Sequence, residues 1–219
     1  MKILDAFCGA GGAAVGYAAA GFEVIGVDIA AQPNYPYEFH QGDAIEFIAT
    51  HGGEFAAIHA SPPCQASSAL TKGTNRGRTY EQLIPQTREA LSRFDVPTVL
   101  ENVAGAQISK DLTLCGEMFG LNVIRHRFFE LEGWNTDQPR HVPHRGRVAG
   151  WRHGEFFDGP YVAVYGEGGG KGSVPQWQNA MGIYHTDVRK EIAEAIPPAY
   201  TRFIGSRLAA LLSEQASYG

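Results

Sequence analysis

A cysteine behind two prolines is the residue best suited to do chemistry in this sequence. Ser61-Pro62-Pro63-Cys64-Gln65 follows residues 55–58, which are predicted to form a buried strand. The prolines restrict the backbone and remove two N–H donors, so the thiol is presented outward at the strand end. A buried cysteine is usually inert packing, which is our interpretation of Cys8 and Cys115. Cys64 is instead predicted to be a nucleophile, helped by nearby positive charge because the thiolate attacks.

An acid and two arginines follow farther along the chain. Glu101-Asn102-Val103 comes after a predicted strand at residues 98–100, and burial there would raise the pKa of Glu101 and make it a useful acid. Asn102 is predicted to orient this loop. Arg125 and Arg127 are two residues apart, so they would share one face of a strand. The alternative is an edge strand with solvated arginines, but beside Cys64 a role in the site is favoured.

Three positions at successive strand ends suit a bound adenosine. Residues 7–12, Phe-Cys-Gly-Ala-Gly-Gly, join a strand to a helix, where glycines let the backbone approach a ligand. Asp28 ends the second strand and could hold both ribose hydroxyls, and Asp43 could bind an adenine amino group. The alternatives are a tight turn for residues 7–12 and helix caps for both aspartates.

Taken together and in this order, these motifs resemble the DNA cytosine-5 methyltransferase family, in particular its compact phage and bacterial members. The resemblance runs over most of the chain. It implies a methyl donor, S-adenosyl-L-methionine (AdoMet), and a covalent adduct between Cys64 and C6 of a flipped cytosine. It also implies that Glu101 activates N3, that Arg127 contacts O2, and that Arg125 supports O2 and the loop.

The resemblance also implies a set of cofactor contacts. Residues at the adenine and sulfonium and near the methionine moiety would be Phe7, Cys8, Gly9, Ala10, Gly12, Asp28, Ile29, Asp43, Ala44, Pro63, Leu83, Glu194 and Ala195. Two positions depart from the family. Val123 stands where the family usually has Gln, and residues 193–195 replace a Gly-Asn-Ser-like turn. Glu194 could there hold the ammonium group of the cofactor.

Basic residues predict the nucleic-acid contacts. The segment between Gln65 and Tyr80 contains cations and no acidic residue. It is either a solvated linker or, as we favour and the family supports, a loop that closes over a flipped nucleotide and its phosphates. Nucleic-acid contacts are assigned to Gln65, Lys72, Arg76, Arg78, Arg145, Arg147 and Lys171.

Residues 131–184 are expected to form a small, loop-rich target-recognition region. They are rich in Gly, Pro, His and Arg, and they include Arg140, Arg145, Arg147, Arg152 and Lys171 with His141, His144 and His153. Arginine is the commonest reader of guanine, so targets containing G are expected. His141-Val-Pro-His144 has no companion cysteine or acidic pair at ligand spacing in the sequence, so no metal site is predicted.

Alternating strands and helices predict an α/β fold with a doubly wound, largely parallel sheet and ligands at the carboxyl ends of its strands. The resemblance makes this the Rossmann-like sheet of AdoMet-dependent methyltransferases. Residues 1–130 and 185–219 would form the catalytic domain. A last helix begins at Pro198 and packs back on the sheet through an apolar stripe of Tyr200, Phe203, Ile204, Leu208, Leu211 and Leu212.

Composition limits the remaining functions. The chain has 219 residues, a net charge of −5 and three separated cysteines, which argues against a disulfide framework and against indiscriminate coating of nucleic acid. A motif follows directly on the first residues, so no signal peptide is predicted. No apolar stretch is long enough to cross a membrane, so no membrane span is predicted.

The sequence thus predicts a monomeric DNA cytosine-5 methyltransferase acting on double-stranded DNA, with a cognate restriction endonuclease as partner. Its expected location is the cytoplasm, associated with the nucleoid, in a bacterium or a phage-infected bacterial cell. Two alternatives stay open: the tRNA-modifying branch of the family, and a catalytically silent relative that only binds DNA or a partner.

Overall fold

A seven-stranded sheet forms the centre of the protein. In a computed structural model, residues 1–63, 83–166 and 172–218 are described. The sheet order is β3-β2-β1-β4-β5-β7-β6; neighbours from β3 to β5 run parallel, and β7 is antiparallel to both β5 and β6. The strands are β1 (Lys2–Ala6), β2 (Glu23–Asp28), β3 (Glu38–Gln41), β4 (Ala57–Ala60), β5 (Thr98–Asn102), β6 (Leu112–Leu114) and β7 (Arg127–Glu132).

The helices confirm the predicted alternation of strands and helices. They are α1 (Gly12–Ala19), α2 (Ala44–His51), α3 (Ile84–Leu91), α4 (Val174–Met181), α5 (Arg189–Glu194) and α6 (Pro198–Tyr218), with 3-10 turns at Gly52–Glu54 and Gly116–Phe119. The last helix begins at Pro198, as predicted, where a missing N–H costs nothing. None of the helices in the described residues is long and apolar enough to cross a membrane.

The two faces of the sheet are covered by different helices. On one face, Tyr17 of α1 and Tyr200, Ile204 and Leu208 of α6 belong to a core cluster in which each of them is fully buried. A Cβ on Gly16 would lie 2.0 Å from Thr201 Oγ1, so glycine is needed where α1 and α6 cross. The other face carries α2 and α3. The first and last segments of the chain therefore pack as one unit.

The described residues between 133 and 173 contain little regular structure, as the composition of this region predicted. A short hairpin joins β8 (Gly150–Arg152) to β9 (Glu155–Phe157), separately from the main sheet. Farther on, α4 buries Trp177 in a third cluster with Val123 and Ile192. This cluster joins the end of the loop-rich region to the segment between β6 and β7 and to α5.

Candidate active site

The carboxyl ends of β1 and β4 are joined directly. The backbone N–H of Ser61 donates to the carbonyl of Ala6 at 3.1 Å, and Ser61 Oγ donates to the carbonyl of Phe7 at 3.2 Å. The glycine turn after β1 and the segment leading to Cys64 therefore leave the sheet side by side. Ligands of such sheets bind at this edge.

Asn102 fixes the backbone just ahead of Cys64. Its side chain is almost fully buried, and Nδ2 donates to the carbonyl of Pro62 at 3.0 Å while Oδ1 accepts from the N–H of Val103 at 2.9 Å. This is the orienting contact that the sequence predicted. Cys64 itself lies outside the described residues, so its position relative to Glu101 stays a prediction.

Glu101 has the properties of a buried acid. Its residue is only 6% exposed, and burial raises the pKa of its carboxyl group, while the charges of Arg127 and Arg125 act in the opposite direction without cancelling the effect. Arg127 Nε lies 2.8 Å from Glu101 Oε1. The two atoms are in ion-pair contact, but their geometry is not that of a hydrogen bond, so Oε1 has no hydrogen-bond partner among the described residues.

Arg125 does not lie on the strand with Arg127, contrary to the sequence prediction. β7 begins at Arg127, and the Arg125 guanidinium donates to the carbonyls of Val164 at 3.2 Å and Ala193 at 2.6 Å. Tyr200 donates its hydroxyl to the carbonyl of Arg125 at 2.6 Å. Arg125 thus ties the loop-rich region to the C-terminal segment, and we interpret it as a positioning residue for Arg127.

Asp28 organises the glycine turn. Its Oδ2 accepts from the N–H of Gly9 at 3.0 Å and its Oδ1 from the N–H of Ala30 at 2.9 Å, so it does not cap a helix. Each carboxylate oxygen has a second lone pair for a ligand hydroxyl. A Cβ placed on Gly9 would meet nothing within 4 Å, and the neighbouring Ile29 is 70% exposed. Open space, a carboxylate and an exposed apolar side chain fit an adenosine.

Asp43 is a helix cap, the alternative that the sequence left open. Its Oδ1 accepts from the N–H groups of Ile45 at 2.8 Å and Glu46 at 3.0 Å at the start of α2. Both bonds fall on one oxygen, and no described residue donates to Oδ2. Oδ2 can therefore accept a hydrogen bond from an adenine amino group while Oδ1 caps the helix.

Gly12 is required by packing inside the protein. A Cβ there would lie 2.5 Å from the carbonyl oxygen of Ile196 and 2.8 Å from Ala195 Cβ. This contact places Ala195 beside the glycine turn, where the resemblance expected it together with Glu194. His185 adds a second connection, since its Nε2 is 2.8 Å from the carbonyl oxygen of Ala10. Sequence reasoning missed His185 because nothing local distinguishes it.

Asp5 is a second residue that sequence reasoning left without a role. Its carboxyl group is fully buried below the glycine turn, and burial raises its pKa well above the ordinary value. Tyr35 donates a hydroxyl to Oδ2 at 3.4 Å, while Oδ1 has no hydrogen-bond partner among the described residues. A charged residue inside an otherwise apolar strand was the available signal.

Of the predicted nucleic-acid contacts, only two side chains fall in the described part of the chain. Arg145 pairs with Glu117 at 2.8 Å, and the guanidinium of Arg147 lies 4.3 Å from the ring centre of Phe157. Both residues are exposed. The remaining predicted contacts lie outside the described residues: Gln65, Lys72, Arg76, Arg78 and Lys171.

Comparison with known sequences identifies relatives. A family model described as C-5 cytosine-specific DNA methylase matches residues 1–118. The Type II methyltransferase M.HgiDI of Herpetosiphon aurantiacus is 32% identical over 172 residues, which cover 72% of this chain and 54% of that protein. M.HgiGI of the same organism is 33% identical over 124 residues, covering 50% of this chain and 96% of that protein. The chain thus spans about half the length of M.HgiDI.

Solved structures share the fold at low sequence identity. A prophage-encoded DNA modification methyltransferase from E. coli superposes with a TM-score of 0.64 at 15% identity, covering 97% of this chain and 99% of that chain. The S. pombe Dnmt2 methyltransferase gives 0.62 at 12% identity, covering 99% of each. The predicted methyltransferase sheet is therefore confirmed. Because the family model matches more than half of the sequence, the chain belongs to the C-5 cytosine-specific DNA methylase family.

Proposed function

We propose that this protein transfers a methyl group from AdoMet to C5 of a cytosine in DNA through a covalent Cys64–C6 adduct. The observation that carries the proposal is the buried Glu101 carboxyl, with a raised pKa, in contact with Arg127 beside the anchored Pro62. A buried acid next to a fixed cation is suited to bind a base edge that gains a proton.

The reaction needs a nucleophile and an acid on the same ring. The Cys64 thiolate adds to C6 while Glu101 supplies a proton to N3, and the ring becomes an enamine with a nucleophilic C5. Arg127 balances charge at O2. After C5 has taken the methyl group, loss of the C5 proton to a base and departure of the thiolate from C6 restore the aromatic ring. Glu101 then regains the proton from N3.

The cofactor residues would hold the donor at the edge of the sheet. AdoMet supplies an electrophilic methyl group. Asp28 would hold the ribose hydroxyls and Asp43 the adenine amino group, while Ile29 would cover the purine ring. Gly9 leaves room for the ligand, and Glu194 is proposed to hold the ammonium group.

Asp28 should measurably support cofactor binding. The Asp28→Ala variant should weaken AdoMet binding by about 1–3 kcal/mol, because a charge-assisted hydrogen bond is lost. Calorimetry with AdoMet or its demethylated product measures this. Glu23→Ala, at the opposite end of β2, is the control and should bind as the parent does. Unchanged affinity in Asp28→Ala would remove Asp28 from the site.

DNA is the proposed substrate, and its target base must leave the helix to reach a buried acid. The basic segment after Cys64 is proposed to hold the phosphates around the extruded nucleotide. The region at residues 131–184 is proposed to read the flanking bases. Because both relatives are named Type II methyltransferases, we further propose a cognate restriction endonuclease as partner. We propose a monomer that works on DNA in the bacterial or phage-infected cell.

The basic segment should contribute charge and not sequence preference. Replacing Lys72, Arg76 and Arg78 by Ala should flatten the salt dependence of DNA binding, each lost contact changing the logarithmic slope by roughly 0.9. Binding titrations over a range of salt concentrations measure it. The matched control replaces the exposed cations Arg93, Arg202 and Arg207. A changed target preference with an unchanged slope would show that the segment reads bases.

The substrate class is decided by offering the protein DNA and RNA separately. A random-sequence duplex DNA library and a folded tRNA pool are each offered with tritiated AdoMet, and methylated duplexes are then read by bisulfite sequencing. The proposal expects label at cytosines of one short sequence in duplex DNA. Label in the tRNA pool alone would assign the protein to the RNA-modifying branch, and label in neither would favour a silent relative.

A further inference from the structure

Three histidines and a cysteine converge beside β6, the outermost strand on one side of the sheet. Cys115 follows β6, His126 precedes β7, and His141 and His144 lie in the segment after β7. One nitrogen of each histidine and the Cys115 sulfur all lie within 4.8 Å of one another. Cys115 is buried, whereas His141 and His144 are exposed, so an ion from solvent could reach the cluster.

Two distances within the cluster match those between the ligands of a tetrahedral metal ion. With bonds of about 2.0–2.1 Å to nitrogen and about 2.3 Å to sulfur, the ligands of a tetrahedral zinc ion lie about 3.3–3.6 Å apart. Cys115 Sγ lies 3.4 Å from His144 Nε2, and His126 Nε2 lies 3.3 Å from His141 Nε2. Two of the distances between these ligand atoms thus have the required length, and the others are at most 4.8 Å.

Strand pairing brings the first two ligands together. In the antiparallel pair of β6 and β7, Leu114 lies opposite Arg127. The next position outward therefore pairs Cys115 with His126, although ten residues separate them in the sequence. The sheet edge itself places two ligands side by side.

A polar network holds the segment that contains His144. Tyr161, fully buried, donates its hydroxyl to Glu117 and accepts from the N–H of Arg145 at 2.8 Å. The Arg145 side chain pairs with Glu117 at 2.8 Å. Arg145, which directly follows His144, thus contacts Glu117 in the turn that follows Cys115. This contact fixes His144 from its C-terminal side. The bond from the Arg145 N–H to Tyr161 holds the backbone at this residue in place. The His144 ring also lies edge-on to the Tyr161 ring.

We propose that Cys115, His126, His141 and His144 bind one zinc-class divalent ion as a four-ligand structural site. Cysteine would bind as the thiolate and release a proton, and the histidines would bind as neutral imidazoles. A cysteine with three histidines suits zinc, and the absence of an open ligand position indicates a structural ion. Neither the family relationship nor the proposed methyl transfer requires this ion.

The ion would fasten the recognition region to the catalytic sheet. His141 and His144 lie at the start of the region after β7, whereas Cys115 directly follows β6 and His126 directly precedes β7. His126 also stands between Arg125 and Arg127 in the sequence. One ion would therefore fix both the start of the recognition region and the backbone that presents Arg127 to Glu101. Without an ion, hydrogen bonds among the same side chains are the alternative.

The test uses the full chain, stripped of metal and kept reduced. Zinc is titrated in competition with a chromophoric chelator, and cobalt(II) is used as a spectroscopic probe of coordination. We expect one equivalent of zinc, and a cobalt spectrum with thiolate charge transfer and the intense visible bands of tetrahedral coordination. Cys115→Ser should abolish the thiolate band. Cys115→Ser and His141→Ala should each lower zinc affinity at least about 100-fold.

A control histidine separates specific from incidental binding. His153 is exposed and outside the cluster, and its positive φ of 52° makes asparagine a suitable replacement. His153→Asn should bind zinc as the parent does, and zinc should raise the melting temperature of the parent and this control but not of His141→Ala. If the parent chain binds no stoichiometric zinc or cobalt, or if His141→Ala binds as tightly as the parent, the cluster is a hydrogen-bonded one and the proposal is wrong.

Discussion

Changing Cys64 to serine should abolish methyl transfer while leaving AdoMet binding intact. The serine hydroxyl is far less ionised than a thiol at neutral pH, so it cannot add to C6 at a useful rate. The expected loss in single-turnover rate is at least about 1,000-fold. Filter assays with tritiated AdoMet and duplex DNA measure the transfer. Calorimetry with AdoMet provides the control, because a folded variant must retain the parent affinity.

Two results of this experiment have opposite meanings. Loss of transfer with normal cofactor affinity supports nucleophilic catalysis by Cys64. Transfer at the parental rate would mean that the target base attacks the methyl group directly. That result would contradict the catalytic roles assigned to Cys64, Glu101 and Arg127.

Glu101→Gln should lower the rate by about 100-fold or more, because it removes the acid at N3. The amide has nearly the same shape, and the variant should keep its fold. A matched control is Glu130→Gln on β7. Glu130 is also paired with an arginine, since Arg88 Nε lies 2.7 Å from its Oε1, but it has no part in the proposed site. A single-turnover rate near the parental value is expected for that control, and a normal rate in Glu101→Gln would contradict the assignment.

The pH dependence provides a second readout for Glu101. Burial raises the pKa of its carboxyl group, so the acid form persists to higher pH than for an exposed glutamate and is lost as the pH rises through that pKa. The parent should therefore lose rate on the alkaline side of its profile. Glutamine cannot ionise, so Glu101→Gln should lack this alkaline decline. An identical alkaline decline in both proteins would assign it to another group.

The buried strands β1, β2, β4 and β5 could be predicted from sequence, because short apolar segments between turn residues are typical of buried strands. The buried strand β6 was not predicted, because Leu112–Leu114 is only three residues long. β3 was missed for a different reason. Glu38–Gln41 is a largely exposed edge strand that is held by backbone pairing with β2 and has no apolar pattern of its own. Local patterns do not report pairing of this kind.

Site residues were predictable where a local motif carries the chemistry. Glu101 and Asn102 lie at the end of a buried strand, as their motif predicted, and the catalytic role of Glu101 stays a prediction. Arg125 was misplaced because alternation with Arg127 was taken to mean a strand that in fact begins two residues later. Its bonds to Val164 and Ala193 join segments 39 and 68 residues away.

The proposed metal site depends on contacts that spacing in the sequence does not report. Cys115 was expected to be inert packing, and His141 and His144 had no companion ligand nearby in the chain. The missing companions are 29 and 18 residues before His144, at Cys115 and His126, and only the pairing of β6 with β7 brings them into reach. The pairing of β6 with β7 is a tertiary contact, and the spacing of the ligands in the sequence does not report it.

Trapping with 5-fluorocytosine shows directly whether Cys64 forms a covalent bond to the target base. An oligonucleotide carrying this base at the target is incubated with AdoMet and the protein, and the mixture is separated under denaturing conditions. Fluorine replaces the C5 proton that must leave, so we expect a stable protein–DNA adduct in the parent, with mass spectrometry locating the bond at Cys64, and no adduct in Cys64→Ser. Methylation of the normal target without any adduct on the fluorinated one, or a bond at another residue, would contradict the covalent mechanism.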